Sequence, residues 1–136
     1  MIRTYVDSCV FMDAWKASEP TRTKALALFA DPDRELVASN LVRLELLPKA
    51  TFRQQATEVE FYRRLFAFVT HWVPLNDPLV EEAIGISSRL DVAGVDALHV
   101  AAAVLGHADQ LVTSENPTKP MYSEIRVAVT YLQSIP

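Results

Sequence analysis

Four short runs rich in β-branched and apolar residues, "IRTYV", "ELVAS", "QLVTS" and "EIRVAVTYL", are separated by longer stretches with helical spacing. This alternation constrains the chain more than any other feature. Successive strands joined through helices cannot close as hairpins and need crossover connections, so they lie parallel with helices covering both sheet faces. The expected architecture is a three-layer α/β/α sandwich around a central, mostly parallel sheet. With 136 residues, of which half are hydrophobic, one core is large enough without disulfide or metal staples, and a single domain over 1–136 is expected.

Between the strands, "SEPTRTKALALFA" repeats Ala25, Leu28 and Phe29 at helical spacing behind an early Pro20. Ser39 or Asn40 is placed to cap a helix from Leu41 towards Lys49. "EVEFYRRLFAFVTH" has apolar residues at 59, 62, 65, 66 and 69 and reads as one helix. "PLVEEAIGISSRL" forms another, and Asp96 opens a last helix rich in alanine and valine.

Ligands of open α/β sheets bind beyond the C-terminal ends of the strands, and this rule sorts the acids. Asp7 ends the first strand, Glu115 follows "QLVTS", and Glu45 and Asp96 lie in helices entered from the same edge. Each has an ordinary explanation when taken alone: turn chemistry for Asp7, an i, i+4 pair with Lys49 for Glu45, a first-turn acid for Asp96, a solvated turn for Glu115. Their convergence on one rim has none. Clustered carboxylates repel unless cations lie between them, and all-oxygen donors select Mg²⁺ or Mn²⁺ over Zn²⁺. Such ions activate water for in-line attack on phosphodiesters, which needs no side-chain nucleophile. No Ser-His-Asp context, Gly-rich phosphate loop or cysteine pair is present.

Charge excludes one class of function. Thirteen basic and 17 acidic residues give a net charge of -4, which does not suit a binder that works by neutralising many phosphates. A nuclease whose acids hold divalent cations escapes that exclusion. No window reaches the roughly 18 apolar residues of a membrane span, and the N-terminus lacks a signal-peptide core. The lone Cys9 reads as a buried thiol, so a soluble cytoplasmic protein is expected.

The blocks "YVDSCVF", "ASNLVRLELL" and "DALHVAAAVLGHADQLVTSE" resemble, in order and spacing, the three conserved blocks of PIN-domain proteins, with the bacterial VapC-like toxins nearest. The resemblance implies a PIN-like fold and a Mg²⁺- or Mn²⁺-dependent ribonuclease, the toxin of a type II toxin-antitoxin pair. It matches Asp7, Glu45 and Asp96 to the family's metal-binding acids, Glu115 to a frequent fourth acid, and Ser8 and Thr113 to hydroxyls that support them. It also implies an RNA substrate, a cognate antitoxin and a homodimer. Cys9 stands where Asn or Ser is common, Glu115 where Asp is usual, and no further acid follows in "NPTKPM", which leaves one or two metals open.

A catalytically weak PIN-fold module that binds RNA or protein is the second reading, and a phosphatase using Asp7 as nucleophile is disfavoured because Asp13 is too distant in sequence to pair with it. His99 reads as a packed or hydrogen-bonded histidine. Arg43, Lys49, Arg53, Arg63 and Arg64 read as solvated charges, and Asp109 as a structural turn residue at the opposite edge.

Overall fold

A computed structural model describes all residues from 1 to 136. Its sheet has five strands in the order β3-β2-β1-β4-β5, and every neighbouring pair is parallel. Along the chain the elements are β1 (Ile2–Val6), α1 (Ser8–Lys16), α2 (Thr21–Ala30), β2 (Arg34–Ser39), α3 (Asn40–Phe52) and α4 (Ala56–Phe66). They continue as β3 (Val69–Val73), α5 (Asp77–Leu90), α6 (Gly94–Leu105), β4 (Gln110–Thr113) and β5 (Ala128–Tyr131). No helix is long and apolar enough to cross a membrane.

Strand residues alternate between two cores, as a sheet buried on both faces requires. Val6, Leu36, Ala38 and Val112 pack with Phe11, Phe29, Val42 and Tyr62 of α1 to α4. Tyr5, Val37 and Leu111 point the other way, towards Leu79 and Ile86 of α5 and the alanines of α6. Three layers result. The chain builds outwards from β1 through β2 to β3, then α5 and α6 carry it back across the sheet to β4 on the other side of β1. The β1/β4 boundary is therefore the topological switch point, the place where such sheets open a crevice at their C-terminal edge.

Two boundaries differ from the sequence expectation. Residues 8–16 form α1, for which no helix was expected: Asp7 caps it, and Val10, Phe11 and Ala14 bury one face. The helix over "EVEFYRRLFAFVTH" stops at Phe66, and Val69 begins a strand. Val69 continues the 3.6-residue spacing of Tyr62, Leu65 and Phe66, so periodicity alone places it in the helix. A register shift opposite Leu36 and Val37 then turns the strand over, which leaves Val69 in one core and Val73 in the other. Ser39 does precede α3, but its hydroxyl makes no cap. It bonds Tyr5 instead.

The return through α6 depends on small residues. Ala101, Ala102 and Ala103 are fully buried, and a Cβ added to Gly106 would lie 3.0 Å from Val37 Cγ1, Val73 Cγ2 and the Ala102 carbonyl. Replacing Gly106 with Val should destabilise the protein by about 1–3 kcal/mol through overpacking, measured by urea unfolding. An unchanged midpoint would show that the helix has room to lift from the sheet.

The segment between β4 and β5 is tied down by Glu124, which is 4% exposed. Its carboxylate accepts from Arg126 Nη2 at 2.6 Å and Nε at 3.1 Å, from Arg89 Nη2 at 3.2 Å and from the Ile125 amide at 2.9 Å. Burial would raise this carboxyl, but Arg126 and the backbone amides overcome that and hold it down at about 2. A depressed folded pKa contributes stability that is complete above the unfolded value, near 4.5, and is lost as pH falls towards 2. Between those pH values Glu124→Gln should lose less stability than wild type, read from urea midpoints across the range. Parallel curves would contradict the ion pair.

Candidate functional site

Asp7 is placed at the switch point by both strands that form it. Its amide continues the β1/β4 ladder, donating to the Val112 carbonyl at 3.1 Å, and its side chain caps α1 by accepting from the Ser8 amide at 2.8 Å. The carboxylate is 94% buried and its second oxygen accepts from the Thr113 hydroxyl at 2.7 Å. The Cys9 thiol approaches that oxygen at 3.4 Å. Desolvation and the charge of Asp7 push the thiol up to about 12, so it stays protonated and is a donor rather than a nucleophile.

Glu45 reaches the same edge from the second turn of α3. Its Oε1 accepts from the Ser8 hydroxyl at 2.8 Å and from His99 Nε2 at 2.6 Å, while no contact to Lys49 forms. Burial raises the carboxyl, but the His99 hydrogen bond and charge, with the Ser8 hydroxyl, hold it below its ordinary value. His99, one turn after Asp96 and 1% exposed, also has Nε2 3.3 Å from Asp7 Oδ1. Because both neighbours are carboxylates, Nε2 carries a proton. Nδ1 pairs at 2.8 Å with the Tyr5 hydroxyl, itself 2.8 Å from Ser39 Oγ. Burial opposes the charged imidazole, but Asp7, Glu45 and Asp96 outweigh it and raise the pKa.

Asp96, in the first turn of α6, faces the opposite end of the site. Its carboxyl is raised by burial and further by the charges of Glu115 and Asp7, against the lowering effect of Lys119. The Lys119 ammonium lies 2.8 Å from Glu115 Oε2 and 3.4 Å from Asp96 Oδ2. Thr113 joins the two ends: its hydroxyl donates to Asp7 and accepts from the Glu115 amide at 3.1 Å.

All four sequence-predicted acids thus lie at one edge, held as two pairs, Asp7 with Glu45 about His99 and Asp96 with Glu115 about Lys119. No three His, Cys, Asp or Glu side chains close on one point at metal-binding separation in this arrangement. The donor set still suits a hard divalent cation, since it is all oxygen and Asp96, raised first by burial, is raised further by the negative charges of Glu115 and Asp7. The Ser8 hydroxyl bonds Glu45, and the Thr113 hydroxyl bonds Asp7 rather than the carboxylate of the neighbouring Glu115. His99, taken only for a packed histidine, bonds two of the acids, and Lys119 was not singled out at all. No local signal marked it, because its i, i+4 spacing from Glu115 falls in a turn rather than in a helix. The scattered basic residues do not join the site: Arg43 stacks over Trp72 at 3.8 Å, and Arg64 pairs with Glu60. Asp109 accepts from the Arg3 amide at 2.9 Å, at the far edge.

A three-layer fold with acids from β1, α3, α6 and the loop after β4 gathered at the switch point defines a class of α/β proteins with a carboxylate-rimmed edge. The PIN domain profile matches residues 4–117, and the chain belongs to the PIN domain family. No curated protein matches it by sequence. Among solved structures, it is similar to a toxin-antitoxin complex from Klebsiella pneumoniae, with a TM-score of 0.74, 14% identity, and 97% of this chain and 99% of that chain covered. VapBC2 from Rickettsia felis, bound to a DNA fragment from its promoter, gives a TM-score of 0.72 at 12% identity over 96% of this chain and 98% of that one. FitAcB from Neisseria gonorrhoeae gives 0.72 at 15% identity over 97% and 99%. At these identities the likeness is one of fold.

The His99 contact is open to a double-mutant cycle. His99→Ala and Glu45→Ala should be non-additive by about 1–2 kcal/mol in urea unfolding, as expected for directly bonded partners. Additivity within about 0.3 kcal/mol would mean that the two side chains do not pair in solution.

Proposed function

We propose that this protein is a metal-dependent endoribonuclease that hydrolyses RNA phosphodiester bonds and serves as the toxin of a type II toxin-antitoxin pair. The observation that carries the reading is the meeting of Asp7, Glu45, Asp96 and Glu115, from four separate parts of the chain, at the β1/β4 switch point. Membership of the PIN family supports it, as does the likeness in fold to toxin-antitoxin complexes.

In this reading the four acids hold Mg²⁺ or Mn²⁺. The ion supplies charge against the phosphodiester and makes water acidic enough for in-line attack. The protein's own groups set the carboxylates in place beforehand. Thr113 and the Ser8 amide fix the two oxygens of Asp7, and the Ser8 hydroxyl and His99 aim Glu45. The Tyr5 hydroxyl, bonded to Ser39, keeps the imidazole from turning. With the thiol of Cys9 protonated and the hydroxyls of Ser8 and Thr113 engaged as donors to Glu45 and Asp7, the attacking group comes from solvent. The proposal extends to residues 1–136 acting as one domain, a homodimer, a cognate antitoxin and a cytoplasmic setting.

A second reading, a PIN-fold module with little catalysis, is favoured by one observation: all four acids already have protein partners. One experiment separates the two. Purified protein incubated with long structured and unstructured RNAs should cleave them with Mn²⁺ and not with EDTA, and Asp7→Asn and Asp96→Asn should each lose about 100-fold or more in rate. Cleavage that survives EDTA or both substitutions, or no cleavage of any RNA, rejects the nuclease.

A further inference from the structure

The two nitrogens that hold the acids differ in mobility. His99 is enclosed, with 2% of its side chain exposed and both ring nitrogens bonded, so it cannot leave Asp7 and Glu45 without opening the core. Lys119 has 40% of its side chain exposed and ends in a flexible four-carbon stem. Yet its backbone is firmly placed. Asn116 Oδ1 accepts from the Thr118 amide at 2.9 Å, and the Lys119 amide returns to the Asn116 carbonyl at 3.0 Å, which folds residue 119 back over Glu115. Just beyond, Met121 is 1% exposed within the core and the Tyr122 hydroxyl donates to the Glu115 carbonyl at 2.8 Å. The turn therefore presents a movable ammonium between Asp96 and Glu115 from a fixed root.

We infer that Lys119 is a tethered cation that competes with the divalent metal for Asp96 and Glu115, and so sets the metal concentration at which the site fills. The inference rests on the metal-dependent reading above. An ammonium can only donate, so it takes the same carboxylate oxygens that a metal needs. A metal entering between Asp96 and Glu115 must displace it, and whatever the ammonium contributes there is subtracted from metal affinity. His99 imposes no such exchange at the other pair, because it stays in place. The protein thereby stabilises four converging carboxylates without a metal, with a permanent partner at one end and an exchangeable one at the other.

Binding of Mn²⁺ alone, followed by the electron paramagnetic resonance signal of the free ion, tests this without any measure of catalysis. Lys119→Met and Lys119→Gln should bind Mn²⁺ about fivefold more tightly than wild type, the upper end for a partly exposed ion pair. Lys119→Arg, which keeps the charge, and Lys49→Met, which removes a charge near Glu45 that makes no contact, should stay within roughly twofold of wild type. Equal affinity in wild type and both Lys119 variants overturns the inference, as does equal tightening by Lys49→Met. Asp96→Asn separates this failure from failure of the metal reading. If Asp96→Asn loses Mn²⁺ while the Lys119 variants are unchanged, the metal site stands and the competition falls. If wild type binds no Mn²⁺, or Asp96→Asn binds it equally well, both fall.

Discussion

Four carboxylates at one sheet edge form an electrostatic problem that the surrounding residues are arranged to solve. Asp7 is 94% buried, and an ionised carboxylate in that setting is costly unless it is paired and hydrogen-bonded. Every available donor is used: the Ser8 amide that starts α1, the Thr113 hydroxyl at the end of β4, the Cys9 thiol and the buried imidazole. Two of these groups sit on the first turn of α1, so the capping of that helix and the holding of Asp7 are one event. The same acid that satisfies a helix start at the sequence level also anchors the site.

Topology brings the donors together. Because β4 returns beside β1 rather than beyond β3, the end of β4 delivers Thr113 and Glu115 next to Asp7. The return is made by α6, whose alanines let it lie against β1, β2 and β4 and whose following Gly106 passes close to β2 and β3, while its first turns carry Asp96 and His99 to the same edge. A bulkier helix would lift the imidazole away from Tyr5 and from both acids. Core packing and site geometry are therefore not independent, since the residues that make α6 thin also set the reach of His99.

Much of this was legible in the sequence. The strand and helix alternation, the parallel sheet and the edge position of the acids follow from local pattern and one topological rule, whereas the hydroxyls of Ser8 and Thr113 were implied only by the resemblance to PIN-domain proteins. The parts that were not legible share a cause. Val69 satisfies helical spacing and strand propensity equally, and only pairing with Leu36 decides between them. α1 follows β1 with no loop, so a single residue, Asp7, both ends the strand and caps the helix. His99 looked like core because it is core, and what makes it more is a partner from β1 and another from α3, far apart in sequence. Lys119 lies beyond every strand and helix of the site, and its approach depends on the Asn116 turn and the Met121 plug rather than on any periodic pattern.

The pairing of the acids also bears on how an acidic protein could meet the polyanion of the proposed function. Counted as isolated charges, the rim would repel phosphate, and the net charge of -4 would add to the repulsion. His99 and Lys119, when charged, offset only part of the charge of the four carboxylates, and in the proposed nuclease a divalent ion in place of the ammonium would bring the Asp96 and Glu115 pair to neutral. The enclosed imidazole cannot be exchanged in this way, so the Asp7 end keeps its geometry while the charge of its neighbour changes. In the proposed reaction, repulsion of a phosphodiester would be relieved at the Asp96 end of the edge, while the carboxylates of the Asp7 end would be held in place by the imidazole.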